Sequence, residues 1–293
     1  MEFKEDAEKK SNEGRNRLLY FTAPSRSGSS LLVTILNCLK QVVVVNEPLN
    51  SYRIDKKDIV DSVFNSIIKD AKNGYVMQRL DKEEKEVTDT FPSENISWQK
   101  QRVDFYPNSV IGIKKSFPSL GNKDYYDVFI NEWESFVEWF VGKRNGKILV
   151  IIRNPIYTIL SWKTTFEALR SETQRQCEAW NRIASAILKT KNNVYILKYE
   201  DLVNNTNKEI RKITDFLGVE FTKTKGFPQI RRNYNTLDYY VKIRTLMVGN
   251  IEEDLMMIGN LCTPVACEFG YDLSKEIKKL GRSFFKTNLY LLR

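Results

Sequence analysis

Five short aliphatic runs, most of them leading into a stretch of helical periodicity, constrain this chain more than any other feature. The first, Arg17-Leu18-Leu19-Tyr20-Phe21-Thr22-Ala23, stops at a Pro/Ser/Gly cluster, as a strand buried on both faces does when it leaves a sheet. From Ser29 the pattern turns helical, with Leu32, Ile35, Leu36 and Leu39 spaced by three and four. Val42 to Val45 form the second run. Asn46-Glu47-Pro48 end it, because the residue before a proline is pushed out of helix and the proline cannot donate to a ladder. The third run is 109–113. The fourth, 147–152, is followed by Arg153-Asn154-Pro155 and a helix whose first turn can take Pro155 without losing a hydrogen bond. The fifth, 194–198, lies between helical stretches at 173–188 and 208–217, the last closed by Gly218. This order predicts a single α/β domain, a mainly parallel sheet flanked by helices.

The expected domain spans 17–275, after a polar leader at 1–16 and before a basic and apolar tail at 276–293. Residues 56–105 are polar and weakly periodic, and read as an insertion with some helix that shapes the substrate site. The aromatic residues between Val128 and Val141 recur at helical spacing and are expected in the core.

Composition removes whole classes of chemistry. There is no histidine, so the commonest general base and every Ser-His or Cys-His nucleophile are absent, and acid/base work falls to carboxylate, lysine or tyrosine. Four cysteines without a Cys-x-x-Cys pair make neither an ordinary zinc site nor a disulfide framework, so no metal is expected. The net charge of +9 suits a polyanionic partner. No Lys/Arg block or basic-aromatic interleaving marks a nucleic-acid surface, so nucleic acid is not expected as that partner. The charged first residues hold no apolar segment, so neither signal peptide nor membrane anchor is read there, and the expectation is a cytoplasmic protein.

Two motifs carry the chemistry. Pro24-Ser25-Arg26-Ser27-Gly28-Ser29-Ser30 joins a strand to a helix, a form that turns backbone N–H groups, hydroxyls and a helix N-terminus toward an anion. It lacks the second glycine and the lysine of a Walker loop. Arg153 leaves another strand end, and Ser161 follows two turns into the next helix, so both can bond one phosphate. Two phosphate sites at strand ends point to a nucleotide carrying two separate phosphates.

These motifs resemble those of sulfotransferases that use 3′-phosphoadenosine 5′-phosphosulfate (PAPS), closest in style to the carbohydrate and tyrosylprotein branches. Residues 24–32 are similar to the family's 5′-phosphosulfate loop, and Ile152-Arg153-Asn154-Pro155 with Ser161 to its 3′-phosphate motif. Lys198-Tyr199-Glu200-Asp201-Leu202 resembles the strand end that follows, and 248–271 the closing helix with its Gly-Tyr. The resemblance implies a P-loop-like fold and a donor site of Arg26, Ser27, Gly28, Ser29, Ser30, Arg153, Ser161 and Tyr199. Lys242 and Arg244 are candidates to close over the nucleotide. Val45-Asn46-Glu47-Pro48-Leu49 is similar to the Glu-Pro-Leu of those branches and implies Glu47 as the base. An exposed glutamate titrates near pH ~4.3, so burial or a neighbouring charge is expected to raise it. For the leaving group, Lys114 and Lys115 are adjacent candidates that alternate to opposite faces of an extended segment.

The implied activity is metal-free, in-line transfer of a sulfuryl group from PAPS, leaving 3′-phosphoadenosine 5′-phosphate (PAP). The expected acceptor is a hydroxyl or nitrogen of a small molecule, such as a microbial natural product. Sugars and tyrosyl peptides remain alternative acceptors, and a non-catalytic nucleotide- or glycan-binding protein of the same fold is the reading from another class. A kinase is disfavoured by the missing Walker lysine and magnesium carboxylate.

Overall fold

A computed structural model of the chain describes residues 17–48, 54–79, 98–117, 123–165, 172–223, 227 and 251–280. Strand β1 (Arg17–Thr22) leads into helix α1 (Ser29–Leu36), and β2 (Val42–Asn46) follows. Helix α2 (Lys57–Lys72) and strands β3 (Tyr75–Arg79) and β4 (Trp98–Arg102) occupy the expected insertion, before β5 (Val110–Lys114). Helix α3 (Lys123–Glu138) runs into a π turn (Trp139–Lys143), then come β6 (Lys147–Ile152), α4 (Pro155–Thr165) and α5 (Thr173–Lys189). The remainder is β7 (Tyr195–Lys198), α6 (Tyr199–Asn204), α7 (Thr206–Leu217) and α8 (Ile251–Ala266). A last helix at 273–280 buries Leu280, so packed structure continues past the boundary expected at 275. Pro155 is the first residue of α4, as its missing N–H requires.

Five strands form one sheet in the order β2-β5-β1-β6-β7, and every pairing is parallel. The α/β expectation holds: a parallel sheet covered by helices on both faces.

Alternation along each strand sorts side chains into two cores. Leu18, Tyr20, Val43, Val45, Ile111, Ile113, Ile148, Val150 and Ile152 face one core, completed by α2, α3, α5 and α8. Leu19, Phe21, Val42, Val44, Val110, Leu149 and Ile151 face the other, closed by α1 and α7. Burying one such aliphatic side chain contributes about 1.5–3 kcal/mol.

The aromatic residues between Val128 and Val141, on α3 and the π turn, lie in or against the core, as expected. Phe129, Trp133, Phe136 and Phe140 are fully buried, and Tyr20 meets Phe136 edge-on at 4.6 Å. The insertion is less separate than its composition suggests, because Val60, Phe64, Ile67 and Ala71 of α2 are buried in the same core.

Among the described residues strand β2 is the last of the sheet on its side, and side-chain amides take the N–H and C=O of Val44 and the N–H of Asn46. Asn37 donates Nδ2 to Val44 O (2.9 Å) and accepts from Val44 N (2.7 Å). Gln78, from β3, donates to Val44 O (2.8 Å) and accepts from Asn46 N (3.1 Å).

Candidate active site

Because all five strands are parallel, their C-terminal ends lie along one edge, where ligands of open α/β sheets bind. Read along that edge in sheet order, the strand ends carry Glu47, then Lys114 and Lys115, then the Ser/Gly loop, then Arg153, then Tyr199 and Glu200. Residues far apart in sequence thereby become neighbours.

The loop after β1 turns tightly, with Ser27 N donating to Pro24 O at 3.3 Å. Arg26 has φ 66° and Gly28 φ 83°, and α1 starts immediately after. No side chain caps that helix, and its first intrahelical bond is Leu32 N to Gly28 O. The N–H groups of Ser29, Ser30 and Leu31 therefore face past the positive end of the helix dipole. Ser27 Oγ is buried and has no hydrogen-bond partner among the described residues. A buried polar atom left unsatisfied costs about 1–3 kcal/mol. Gly28 is required twice over: its φ is left-handed, and an added Cβ would lie 2.3 Å from Cδ2 of Tyr199.

Three contacts stitch this loop to the Arg153 turn. Arg153 Nη1 donates to Arg26 O (3.1 Å), Arg26 Nε to Ser161 Oγ (3.2 Å), and Trp162 Nε1 to Ser25 O (2.8 Å). The two motifs read separately from sequence are thus joined by direct hydrogen bonds. The Arg153 guanidinium lies 4.8 Å from the Tyr199 ring centroid, within cation–π range. Asn154 shapes the turn, accepting from Ile156 N at 2.9 Å.

Glu200 was quoted only as part of a motif, yet it braces the site. Its Oε1 accepts from Asn154 N (3.0 Å) and its Oε2 from the Tyr271 hydroxyl (2.9 Å). Burial pushes its pKa up, against the lowering effect of those hydrogen bonds and of Arg153. The signal that could have singled it out is an acid two residues past the end of a sheet strand, in the first turn of the helix that follows.

Glu47 sits just past β2 at φ 51°, a left-handed conformation that costs a non-glycine residue about 1–3 kcal/mol. Its Oε1 accepts from Lys114 Nζ (2.6 Å) and Ser116 N (3.1 Å), and its Oε2 lies 3.2 Å from Lys115 Nζ. The two lysines were expected to diverge. They converge instead, because β5 ends at Lys114 and strict alternation ends with it. The expected rise of the Glu47 pKa is also reversed: burial pushes it up, but the two ammonium groups and the Ser116 N–H outweigh burial and hold it down at about 2. Tyr20, beneath the site, has a fully buried hydroxyl without a hydrogen-bond partner among the described residues, its pKa raised by burial and by the Glu47 carboxylate.

Lys163 forms a buried cluster with Asp254 and Thr173, joining α4 to α5 and α8. Lys242 and Arg244 lie outside the described residues. Among the described residues no group of His, Cys, Asp and Glu could hold a metal ion, and no helix is long and apolar enough to cross a membrane.

Residues 144–223, which include Arg153, Ser161 and Tyr199, match the family model described as "Sulfotransferase family". No curated protein sequence matches the chain. Among solved structures, the sulfotransferase domain from the curacin biosynthetic pathway is 15% identical, with TM-score 0.47, covering 88% of this chain and 99% of that one. The sulfotransferase domain of the Synechococcus PCC 7002 olefin synthase is 16% identical, with TM-score 0.43, covering 89% and 96%. Mouse sulfotransferase SULT7A1 complexed with PAP is 15% identical, with TM-score 0.37, covering 73% and 63%. These three are likenesses of outline, and the reading of the site rests on its own geometry and on the family match. That match makes residues 144–223, the stretch from the end of the π turn to the segment after α7, similar to the sulfotransferase family.

Proposed function

We propose that this protein transfers a sulfuryl group from PAPS to a hydroxyl or nitrogen of a small molecule. The observation that carries this reading is the stitching of the 24–30 loop to Arg153 and Ser161, which sets two anion sites side by side next to a buried Glu–Lys cluster.

The residues fit the donor. Among the described residues Ser27 Oγ is a buried hydroxyl lacking a partner and no side chain caps the α1 N-terminus, and Gly28 has no room for a side chain. The 24–30 loop would hold the 5′-phosphosulfate and Arg153 with Ser161 the 3′-phosphate. Tyr199 supports both, packed against Gly28 and under the Arg153 guanidinium. Bound there, PAPS supplies an activated sulfuryl group whose S–O bond to the 5′-phosphate breaks as a bond to the acceptor forms, the electron pair leaving on the phosphate oxygen.

The chain's own part is to orient, to take a proton and to neutralise charge. Glu47 is the one carboxylate at this strand end with a lysine on each oxygen, and it receives the acceptor's proton. A lysine ammonium faces the negative charge that develops on the departing phosphate. No histidine is needed.

Calorimetry with PAP, followed by a PAPS-dependent assay against pooled metabolites, glycans and tyrosyl peptides read by added sulfuryl mass, tests the proposal. Binding of PAP with sulfation of a small molecule is expected. Sulfation confined to glycans or peptides would overturn the acceptor class, and folded protein that ignores PAP would overturn the donor. Donor binding without transfer to any acceptor would favour a nucleotide-binding protein.

A further inference from the structure

Lys114 is in register with both Asn46 of β2 and Phe21 of β1, but the two lysines on Glu47 differ in the backbone bond each makes at the strand end. Lys114 is the last residue of β5 in register with Asn46, and its carbonyl accepts from Glu47 N at 2.8 Å. Its ammonium is on Glu47 Oε1 at 2.6 Å, the same oxygen that Ser116 N holds. Lys114 therefore belongs to the glutamate's own turn by backbone and by side chain. Lys115 is tied the other way: its N–H donates to Phe21 O at 2.9 Å, on the strand that feeds the 24–30 loop. Its ammonium meets Oε2 at 3.2 Å, the longer of the two ion-pair contacts.

From this partition we infer that Lys115 is the donor-facing lysine, that Lys114 is a positioning residue for Glu47, and that Oε2 becomes the proton-accepting atom once Lys115 has turned to the donor. The inference rests on the sulfotransferase reading and divides the labour within that site. Both lysines are buried and share one carboxylate, so a phosphate oxygen arriving at the loop competes with Oε2 for the Lys115 ammonium. Oε1 keeps two donors and fixes the orientation of the carboxyl group. Oε2 loses a cation and gains basicity. Among the described residues the groups bearing on the carboxylate are Lys114 and Lys115 from β5 and its end, Ser116 N, and the Tyr20 hydroxyl from β1.

The chemistry gains a safeguard from this arrangement. With both lysines in place the carboxylate is held near pKa 2, a weaker base than an ordinary glutamate. An acceptor reaching the site ahead of the donor would meet the base in its weakened form. A donor that has drawn Lys115 away leaves behind a base and a leaving-group partner in one movement.

The test follows the Glu47 side-chain carboxyl by 13C NMR across pH, with and without PAP, in the wild type and in Lys114→Met and Lys115→Met. PAP carries the 5′-phosphate oxygen that would recruit the lysine. In the wild type PAP is expected to raise the Glu47 pKa by about 1–3 units, the effect of removing one close opposite charge. Lys115→Met should start at the raised value and respond little to PAP, whereas Lys114→Met should still respond. In turnover, Lys115→Met should lower kcat while Lys114→Met flattens the alkaline side of the pH profile less than it shifts the acidic limb. A wild-type pKa unmoved by saturating PAP would overturn the coupling, and needs no variant to fold. A PAP response that survives in Lys115→Met but vanishes in Lys114→Met would reverse the two roles. If calorimetry shows no PAP binding at all, it is the sulfotransferase reading that fails instead.

Discussion

The Tyr199 ring fills the space that a side chain on Gly28 would need, its Cδ2 lying 2.3 Å from where that Cβ would be. The glycine thus lets a ring from the end of β7 back the anion loop at the end of β1.

Gly28→Ala should therefore destabilise the protein by about 2–4 kcal/mol, from the left-handed φ together with overpacking. PAP affinity should fall with it. Pairing it with Tyr199→Leu should recover part of the melting temperature and little of the affinity, because the strain in φ stays. A Gly28→Ala protein with wild-type Tm and PAP affinity would refute this account of the loop.

Arg153→Ala removes the guanidinium proposed to hold the 3′-phosphate and the bond to Arg26 O, so PAP binding should weaken by about 1.5–3 kcal/mol, roughly 10- to 150-fold in Kd. Ser161→Ala should cost less, about 0.5–1.5 kcal/mol, since a neutral hydroxyl is lost. Isothermal titration with PAP measures both. Equal losses, or none for Arg153→Ala, would remove the second anion site.

The Glu47 ion pairs make stability depend on acid. The folded pKa, about 2, lies below the ordinary value of 4.5, so the contribution is full above pH 4.5 and is lost as pH falls toward 2. Urea unfolding of the wild type should show that loss. Glu47→Gln should be less stable at pH 7, because two buried ammonium groups lose their counter-charge, and the acid slope should shrink. Its PAP affinity should equal or exceed wild type, because no carboxylate competes for Lys115, while turnover is abolished; turnover at the wild-type rate would disqualify Glu47 as the base.

Tyr20→Phe asks whether a buried hydroxyl without a partner costs the fold anything. With no hydrogen bond to lose, the variant should match or exceed the wild-type Tm. A drop of several degrees would show that the hydroxyl has a partner in the folded protein.

Much of this was legible in the sequence because it is local. The 24–30 loop, the Arg153-Asn154-Pro155 turn and Ser161 each lie within a strand and the helix that follows it, where period and turn chemistry speak directly. What joins them did not show. The Lys114–Glu47 contact spans 67 positions and the Lys163–Asp254 contact 91, and both depend on sheet order and helix packing. The direction of the Glu47 shift needed the second lysine, which strand alternation assigned to the opposite face. Helix α2 was underrated for a compositional reason: Val60, Phe64, Ile67 and Ala71 keep helical spacing, but charged neighbours dilute it.

The amides of Asn37 and Gln78 bear on how this protein lives among its own copies. A strand arriving from another molecule at β2 would have to bond Val44 and Asn46, and those groups are already engaged by side chains that imitate a backbone. The helix that carries the anion loop leads straight into Asn37, and the insertion supplies Gln78. The pieces that carry the anion loop and the insertion therefore also close this edge of the sheet against runaway growth, a protection that open β edges elsewhere must get from charge, proline or a bulge.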